Sequence, residues 1–226
     1  MRKISTIKSL CLLAVFVVAG FGAKAQYSHL ETSFFIPSFN IPVGDFGKSV
    51  DNIPMYKTNM GKAAGFGFGA GARIAYRFDI GFGEVSPFAG VEFFWNRVKS
   101  DLRDAYDAGD YSKPFYVNVP VFFGVGYRYE ITDIFTPFAE FGLGPDFLFI
   151  HKESSVLGDF KYKPTTSLAW EVGVGTYFNK RFSLGIHYYS FGSHKIKYKD
   201  NYAVLDNGDN IKRNLGSLMF RIGFHF

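Results

Sequence analysis

The sequence predicts an all-β fold, an eight-stranded antiparallel transmembrane up-and-down β-barrel. Three observations lead to this prediction. Apolar residues alternate with small or polar residues through almost all of the chain after Tyr27, and a period of two is the pattern of β-strands. The connections between the alternating segments are long and short in turn. The less apolar face of these segments is rich in glycine and almost free of lysine, which is typical of a crowded barrel interior.

The alternation places the strands along the chain with boundaries that are uncertain by a few residues. The predicted strands lie near 28–40, 64–78, 85–98, 115–129, 135–150, 165–178, 182–195 and 213–226. The long polar connections are 41–63, 99–114, 151–164 and 196–212, and the short turns are 79–84, 130–134 and 179–181. An even strand number with this alternation of loop lengths is the organisation of an outer-membrane barrel. A ten-stranded barrel with a further hairpin in 41–63 is the alternative, which Pro42 and Pro54 disfavour.

The two faces of the strands decide whether lipid or water surrounds the barrel. In the last strand, Leu218, Phe220 and Phe224 alternate with Ser217 and Arg221. A soluble eight-stranded barrel of the lipocalin kind would turn the apolar face inward and cover its outside with Lys, Glu and Thr. Because the second face is mostly glycine and serine, the apolar face is predicted to contact lipid.

The N-terminal segment 1–25 is predicted to be a signal peptide that is cleaved before Gln26, which leaves 26–226 as the barrel domain. Basic residues at the start precede an apolar stretch, and Ala23-Lys24-Ala25 fits a cleavage site. An N-terminal anchor helix is the alternative, but the apolar stretch is short for one. Removing this segment also removes Cys11 and four basic residues, which leaves 21 Lys and Arg against 20 Asp and Glu. The near-neutral balance gives no argument for nucleic-acid binding, and a disulfide scaffold is excluded.

Aromatic residues gather at one end of the predicted strands. If the strands run alternately up and down, one rim of the barrel carries a girdle of rings, where amphipathic side chains are favoured at a membrane interface. The predicted girdle consists of Tyr76, Phe78, Tyr127, Tyr129, Phe135, Phe178, Phe182, Phe224 and Phe226.

Two motifs and the terminal Phe226 give the chain a family resemblance. They are Ile41-Pro42-Val43-Gly44-Asp45-Phe46-Gly47 after the first strand and the glycine ladder 65–71 in the second. With them, the chain resembles the small outer-membrane β-barrel proteins of the OmpA/OmpX-like, porin-family type. The resemblance implies a place in the outer membrane of a Gram-negative cell envelope. It also implies that Phe226 is part of the signal that the barrel-assembly machinery reads.

Extending the alternation places a set of ionisable side chains inside the barrel. An isolated charge in a lipid-bounded interior is costly, so these groups are expected to pair with one another. The paired groups then either fill the lumen, which is the favoured interpretation, or line a path for protons or ions. The predicted lumen network consists of Glu31, Arg73, Glu92, Glu140, Glu171, His187 and Arg221.

Lysine alternates with apolar or aromatic residues in two stretches beside the predicted outer rim. Ammonium groups there are suited to the phosphates of lipopolysaccharide, and ordinary solvation of a loop is the equally supported alternative. The candidate contacts are Lys161, Lys163, Lys195, Lys197 and Lys199.

No catalytic residue, metal site or cofactor is predicted. His187 and Ser190 are three residues apart, so a regular strand sends them to opposite faces. A bulge near Gly192 would redirect Ser193 and His194, but the sequence shows no acidic group to orient a histidine there. Acidic residues recur every third position from Asp101 to Asp110, and a solvated loop is favoured over a Ca²⁺ site.

These observations favour an outer-membrane barrel with a membrane-structural or cell-surface interaction role, a filled polar lumen and four extracellular loops. The expected partners are outer-membrane lipid, lipopolysaccharide and the barrel-assembly machinery, and the protein is expected to be a monomer. A narrow porin-like channel for ions or small solutes is the first alternative. A lipid-modifying barrel enzyme is the second.

Overall fold

The chain forms a closed, eight-stranded antiparallel barrel in which each strand pairs with its neighbours along the chain. The structure, a computed structural model, describes residues 29–47, 63–132, 134–155, 158–197, 199 and 211–226. Pairing of the last strand with the first closes the barrel. The strands are β1 Leu30–Val43, β2 Ala64–Tyr76, β3 Glu84–Val98, β4 Phe115–Arg128, β5 Phe135–Ile150, β6 Thr165–Phe178, β7 Phe182–Ile196 and β8 Ile211–His225. A short segment, Phe78–Asp79, continues β2 along β3.

The predicted alternation holds on the barrel wall. In β6, Leu168 points outward and is 65% exposed, whereas the next residue, Ala169, is buried. In β8, Phe220 and Phe224 are exposed and Arg221 is buried. The outer wall is therefore an apolar surface, and the polar and small residues fill the interior, as in transmembrane barrels.

The seam between β1 and β8 extends to the end of the described chain. Thr32 N donates to Phe226 O at 3.0 Å, and Phe226 N donates to Thr32 O at 2.9 Å. Further up the seam, Ile41 pairs with Leu218 and Val43 with Gly216. Residues 41–43 therefore belong to β1, which extends three residues beyond its predicted end, within the uncertainty of the predicted boundaries.

One end of the barrel, here the loop end, carries the long connections. The first begins with a helical turn, α1 Gly44–Gly47, and the second contains the helix α2 Ser100–Ala108. The third contains a small hairpin of Glu153–Ser155 and Gly158–Phe160. The prediction of a long polar connection at 99–114 did not include this helix. Its Leu102 and Tyr106 are four residues apart on one helix face and pack with the end of β3.

The opposite end, the turn end, carries the predicted aromatic girdle. Neighbouring rings are in contact around it, with centroids 4.7 Å apart for Tyr76 and Phe78 and 5.8 Å apart for Phe182 and Phe224. Phe226 is 78% exposed, and its ring lies 6.2 Å from that of Phe34. The girdle therefore joins strands from both sides of the seam.

Several predictions fall on residues outside the described part of the chain. They are the signal peptide with its cleavage site, the ten-strand hairpin of the first loop and most of the last long loop. Within the described residues, no helix is both long and apolar enough to cross a membrane.

Candidate functional site

A cluster of five charged side chains occupies the middle of the lumen, here called the central cluster: Arg73, Glu92, Glu140, Glu171 and Arg221. Arg73 lies 2.8 Å from Glu140 Oε1 and 2.6 Å from Glu171 Oε1. Arg221 lies 3.0 Å from Glu92 Oε1 and also pairs with Glu140. The two guanidinium groups cover the rings of Phe88 and Phe35, at 3.7 and 4.0 Å from the centroids. Each charge therefore has an opposite charge beside it, as burial in a low-dielectric interior requires.

Glycines opposite the charged residues make room for them. Glu92 pairs in register with Gly71 and Arg73 with Gly90, and Glu171 pairs with Gly142. The glycine ladder of β2 and the inward glycines of the other strands thus accommodate long side chains, which cross the lumen in the space that the glycines leave.

His187 adjoins the central cluster and is completely buried. Its Nδ1 lies 3.3 Å from Glu140 Oε1 and 4.0 Å from Glu171 Oε2. Neither imidazole nitrogen has a hydrogen-bond partner among the described residues. Six of the seven predicted lumen residues therefore come together in one place.

The seventh, Glu31, belongs to a separate cluster at the turn end, which sequence reasoning did not find. Arg128 Nη1 donates to Glu31 Oε2 at 2.9 Å. The His225 nitrogens lie 2.7 Å from Ser33 Oγ and 2.7 Å from Ser183 Oγ. Both Arg128 and His225 continue the inward alternation of their strands, so one further step along β4 and β8 would have found them.

The loop-end half of the lumen is filled by large side chains. Tyr189 contacts Phe94 and Phe122, with ring centroids 5.3 and 5.6 Å apart. Above them, α1 turns back over the barrel and buries Phe46 completely, 5.4 Å from the ring of Tyr116. The resemblance motif 41–47 therefore contains the side chain, Phe46, that closes the loop end of the lumen.

A hydrogen-bonded chain of side chains at the loop end of the barrel corrects the prediction that His194 has no acidic partner. His194 Nε2 lies 3.0 Å from Asp146 Oδ2, and its Nδ1 lies 2.7 Å from Thr165 Oγ1. The expected bulge is present, since the register of β7 against β8 shifts between Ser190 and Gly192. Asp146 was missed because it belongs to a different strand, 48 residues away in sequence.

Little space remains inside the lumen. A cavity of about 30 Å³ separates the central cluster from the turn-end cluster, and this is room for roughly two water molecules. A wider vestibule of about 450 Å³ opens at the turn end, beside Arg77, Arg128 and Lys180. The lumen thus narrows from the vestibule to a site of water size and is then filled.

The five predicted lysine contacts lie together on the outside of the loop end. Lys163 N donates to Lys197 O at 2.9 Å, and Lys199 N donates to Lys161 O at 2.7 Å, so the two stretches run antiparallel beside each other just beyond the ends of β6 and β7. Lys195 pairs in register with Lys212. Lys212 is a sixth lysine of this surface, and it was not among the predicted contacts. All six side chains are exposed. They form one surface, the lysine patch: Lys161, Lys163, Lys195, Lys197, Lys199 and Lys212.

The bulge at Gly192 determines the outward direction of the lysines on β7. Below it, odd-numbered residues such as Tyr189 and Phe191 are buried; above it, the buried residues are His194 and Ile196. Gly192 has a φ of +78°, a conformation that other residues rarely adopt. Without the bulge, Lys195 would point into the barrel.

Two tyrosines hold a buried carboxylate where α2 meets the third loop. Tyr106 donates to Glu153 Oε1, and Tyr162 donates to Glu153 Oε2 at 2.7 Å. Nearby, a hydrogen bond from Ser154 and the adjacent Lys152 lower the pKa of the exposed Asp159. The hydrogen bond from Tyr106 to Glu153 connects the second and third long connections to each other.

The acidic residues of 101–110 do not form a candidate cation site among the described side chains. Asp107 instead pairs with Lys113. Within the described residues, one group of His, Cys, Asp or Glu side chains has potential metal-ligand atoms within 4.8 Å of one another. It consists of Glu140, Glu171 and His187.

These features define the class of the protein: it is a small eight-stranded β-barrel with an apolar outer wall and a filled polar lumen. Similar solved structures are small outer-membrane barrels. The attachment invasion locus protein Ail of Yersinia pestis is 17% identical over 88% of this chain and 100% of its own, with a TM-score of 0.45. Neisserial surface protein A is 12% identical over 87% of this chain and 95% of its own, with a TM-score of 0.44.

OprG of Pseudomonas aeruginosa is 17% identical over 88% of this chain and 92% of its own, with a TM-score of 0.38. Similarity at these levels concerns the fold alone and assigns no activity to this chain. No protein-family model and no curated protein matches the sequence.

Proposed function

We propose that this protein is a monomeric barrel of the bacterial outer membrane with a membrane-structural and cell-surface interaction role, and that its lysine patch binds the phosphates of lipopolysaccharide. The observation that carries the proposal is the patch itself, with six exposed lysines on adjacent segments at the loop end. The loop end would then face the cell exterior and the turn end the periplasm.

The position of the patch relative to the apolar wall supports this partner. The outward apolar row of β6 begins at Leu168, five residues from Lys163. At about 3.3 Å per residue along a strand tilted by about 40°, the lysine patch starts roughly 12 Å beyond this apolar row. Phosphates of an outer-leaflet glycolipid occupy this level, and each lysine near an anionic membrane surface contributes about 1 kcal/mol.

The filled lumen argues against the channel alternative. A conducting path would have to pass the central cluster, the rings around Tyr189 and the buried Phe46. We infer that protein purified from membranes of cells expressing the full chain is silent in planar bilayers. Reproducible conductance steps from a folded barrel would instead support the channel.

The enzyme alternative has one candidate constellation, the chain of Asp146, His194 and Thr165. Asp146 and His194 are completely buried, which favours a structural hydrogen-bond chain over a site that meets lipid. Release of fatty acid from lipopolysaccharide that is lost in His194→Gln would favour the enzyme.

The decisive experiment compares two variants of equal charge. Lys163, Lys195 and Lys197 are changed to Gln in the test variant, and Lys99, Lys152 and Lys180 in the control. At about 1 kcal/mol per lysine, the test variant should bind lipid A vesicles about 100-fold more weakly than the wild type. The control should lose far less, and phosphatidylcholine vesicles should not discriminate. Equal losses in both variants would show that net charge, and not the patch, governs binding.

The side chain of Phe226 is the candidate contact for the barrel-assembly machinery. Its ring is exposed on the outer wall while its backbone pairs with Thr32. A ring so placed is free of the lumen, which supports the proposal that the barrel-assembly machinery reads it. Phe226→Ala is expected to slow insertion into membranes in cells.

A further inference from the structure

We propose that a groove at the loop end of β5 holds one acyl chain of the glycolipid whose phosphates the lysine patch binds. The inference rests on the proposed function and deepens it, because it adds recognition of a hydrocarbon chain to recognition of the phosphates. The groove has a volume of about 430 Å³. It is lined by Phe149, Ile150, Tyr162, Lys163, Pro164 and Lys199.

The groove continues the apolar outer wall up to the lysine patch. On β6 the outward apolar row begins at Leu168, which lies opposite Pro145 of β5. On β5 the outward row runs on through Phe147 to Phe149, whose side chains are 38% and 42% exposed. Four residues at about 3.3 Å each carry this row roughly 13 Å further along the strand than on β6. An acyl chain can therefore follow β5 from the hydrocarbon layer to the lysines along an apolar surface.

The side chains of the groove suit a hydrocarbon chain. Ile150 is half-buried and packs against the interior of the barrel. Tyr162 is buried, and its hydroxyl already donates to Glu153 Oε2 at 2.7 Å. Pro164 has no backbone N–H to donate. The groove thus offers apolar surface and few groups that could hydrogen-bond a sugar or a peptide, and removal of apolar surface from water is what favours binding of an acyl chain.

The charges at the groove suit the phosphates of the same molecule. Lys163 and Lys199 are exposed, and they are the two members of the lysine patch that line the groove. None of the six lining residues is acidic, and the nearby Glu153 is buried. An apolar groove beside two ammonium groups is complementary to an anionic amphiphile, whose phosphates they attract.

The test measures dissociation constants by native mass spectrometry of the full chain, purified in detergent from membranes of expressing cells. The two probes are lipid A and its deacylated disaccharide bisphosphate, which carries the same phosphates without an acyl chain. Phe149→Ala should weaken binding of lipid A about 10-fold, the equivalent of roughly two methylene groups returned to water. Binding of the deacylated probe should not change. Phe149→Leu keeps an apolar side chain and should retain most of the affinity.

Two further variants complete the comparison. Phe93→Ala is the matched control, because Phe93 is an outward phenylalanine of β3 that is 46% exposed and does not line the groove. It should bind both probes as the wild type does. Lys163→Gln combined with Lys199→Gln should weaken binding of both probes about 30-fold, since each lysine contributes to holding the phosphates. Heat-dependent gel mobility reports whether each variant is a folded barrel.

The outcomes separate the groove from the patch. If the double lysine variant loses affinity for both probes while Phe149→Ala loses none, the patch binds phosphates and the groove proposal is overturned. Equal losses of lipid A binding in Phe149→Ala and Phe93→Ala would also overturn it, because the outer wall would then bind chains without preference for the groove. Unchanged binding of lipid A by the double lysine variant would overturn the proposed function and this inference with it.

Discussion

Gly173 lies directly opposite His187 across the pair of β6 and β7, and a Cβ atom on Gly173 would overlap the imidazole Nδ1. Gly173 also faces Glu140 on its other side. The absence of a side chain at this one position therefore makes room for the His187 imidazole, which lies beside Glu140.

Gly173→Ala is expected to destabilise the barrel. The added methyl group must displace His187 from a closely packed interior, and overpacking of this kind costs about 1–3 kcal/mol. Urea unfolding in lipid vesicles, followed by tryptophan fluorescence, measures the change. Gly126→Ala is the control, since a Cβ there would have its nearest neighbour at 3.8 Å. Equal destabilisation by both substitutions would mean that the contact with His187 is unimportant.

Arg221→Ala should be among the most destabilising single changes in the lumen. It removes the partner of Glu92 and Glu140 and leaves carboxylates uncompensated, which costs about 3–5 kcal/mol in a buried network. Lys180→Ala provides the comparison, because its pair with Glu130 at 2.8 Å is exposed and should contribute less than about 1 kcal/mol. Similar unfolding midpoints for the two variants would show that the central cluster does not stabilise the fold.

Phe46→Ala tests the closure of the loop end. Loss of a fully buried phenylalanine should cost about 3–5 kcal/mol. Planar-bilayer recordings should nevertheless stay silent, because the rings around Tyr189 and the central cluster remain below it. Phe82→Ala, on an exposed turn residue, should change neither property. Conductance in Phe46→Ala alone would make this ring the single barrier of the lumen.

Tyr106→Phe is expected to loosen α2 from the third loop. The substitution removes a hydrogen bond to the buried Glu153, and a bond to a charged group contributes about 1.5–3 kcal/mol. Trypsin should then cleave faster after Lys99 or Arg103 in intact cells. Tyr111→Phe controls for the loss of a hydroxyl near the same helix. An unchanged cleavage rate in Tyr106→Phe would show that other contacts hold the helix.

The strands and the direction of most side chains could be predicted because a period of two survives wherever the pleat is regular. Glu92 and Arg221 were placed inside the barrel on that basis alone. The partners of Glu31 and His194 were not found, since pairing across the lumen depends on which strands face each other at one height. Helix α2 was missed because its apolar spacing, Leu102 and Tyr106, is brief and surrounded by charged residues.

The extra residue at Gly192 divides β7 into two segments. The inward-facing positions are odd-numbered in one segment and even-numbered in the other. Toward the turn end, the odd positions belong to the packed interior, and toward the loop end the even positions do. A designer who adds charge to this strand must therefore count positions separately on each side of Gly192. An evolving sequence can likewise lose or gain one residue there and exchange the inner and outer sets of the upper segment without altering the lower one.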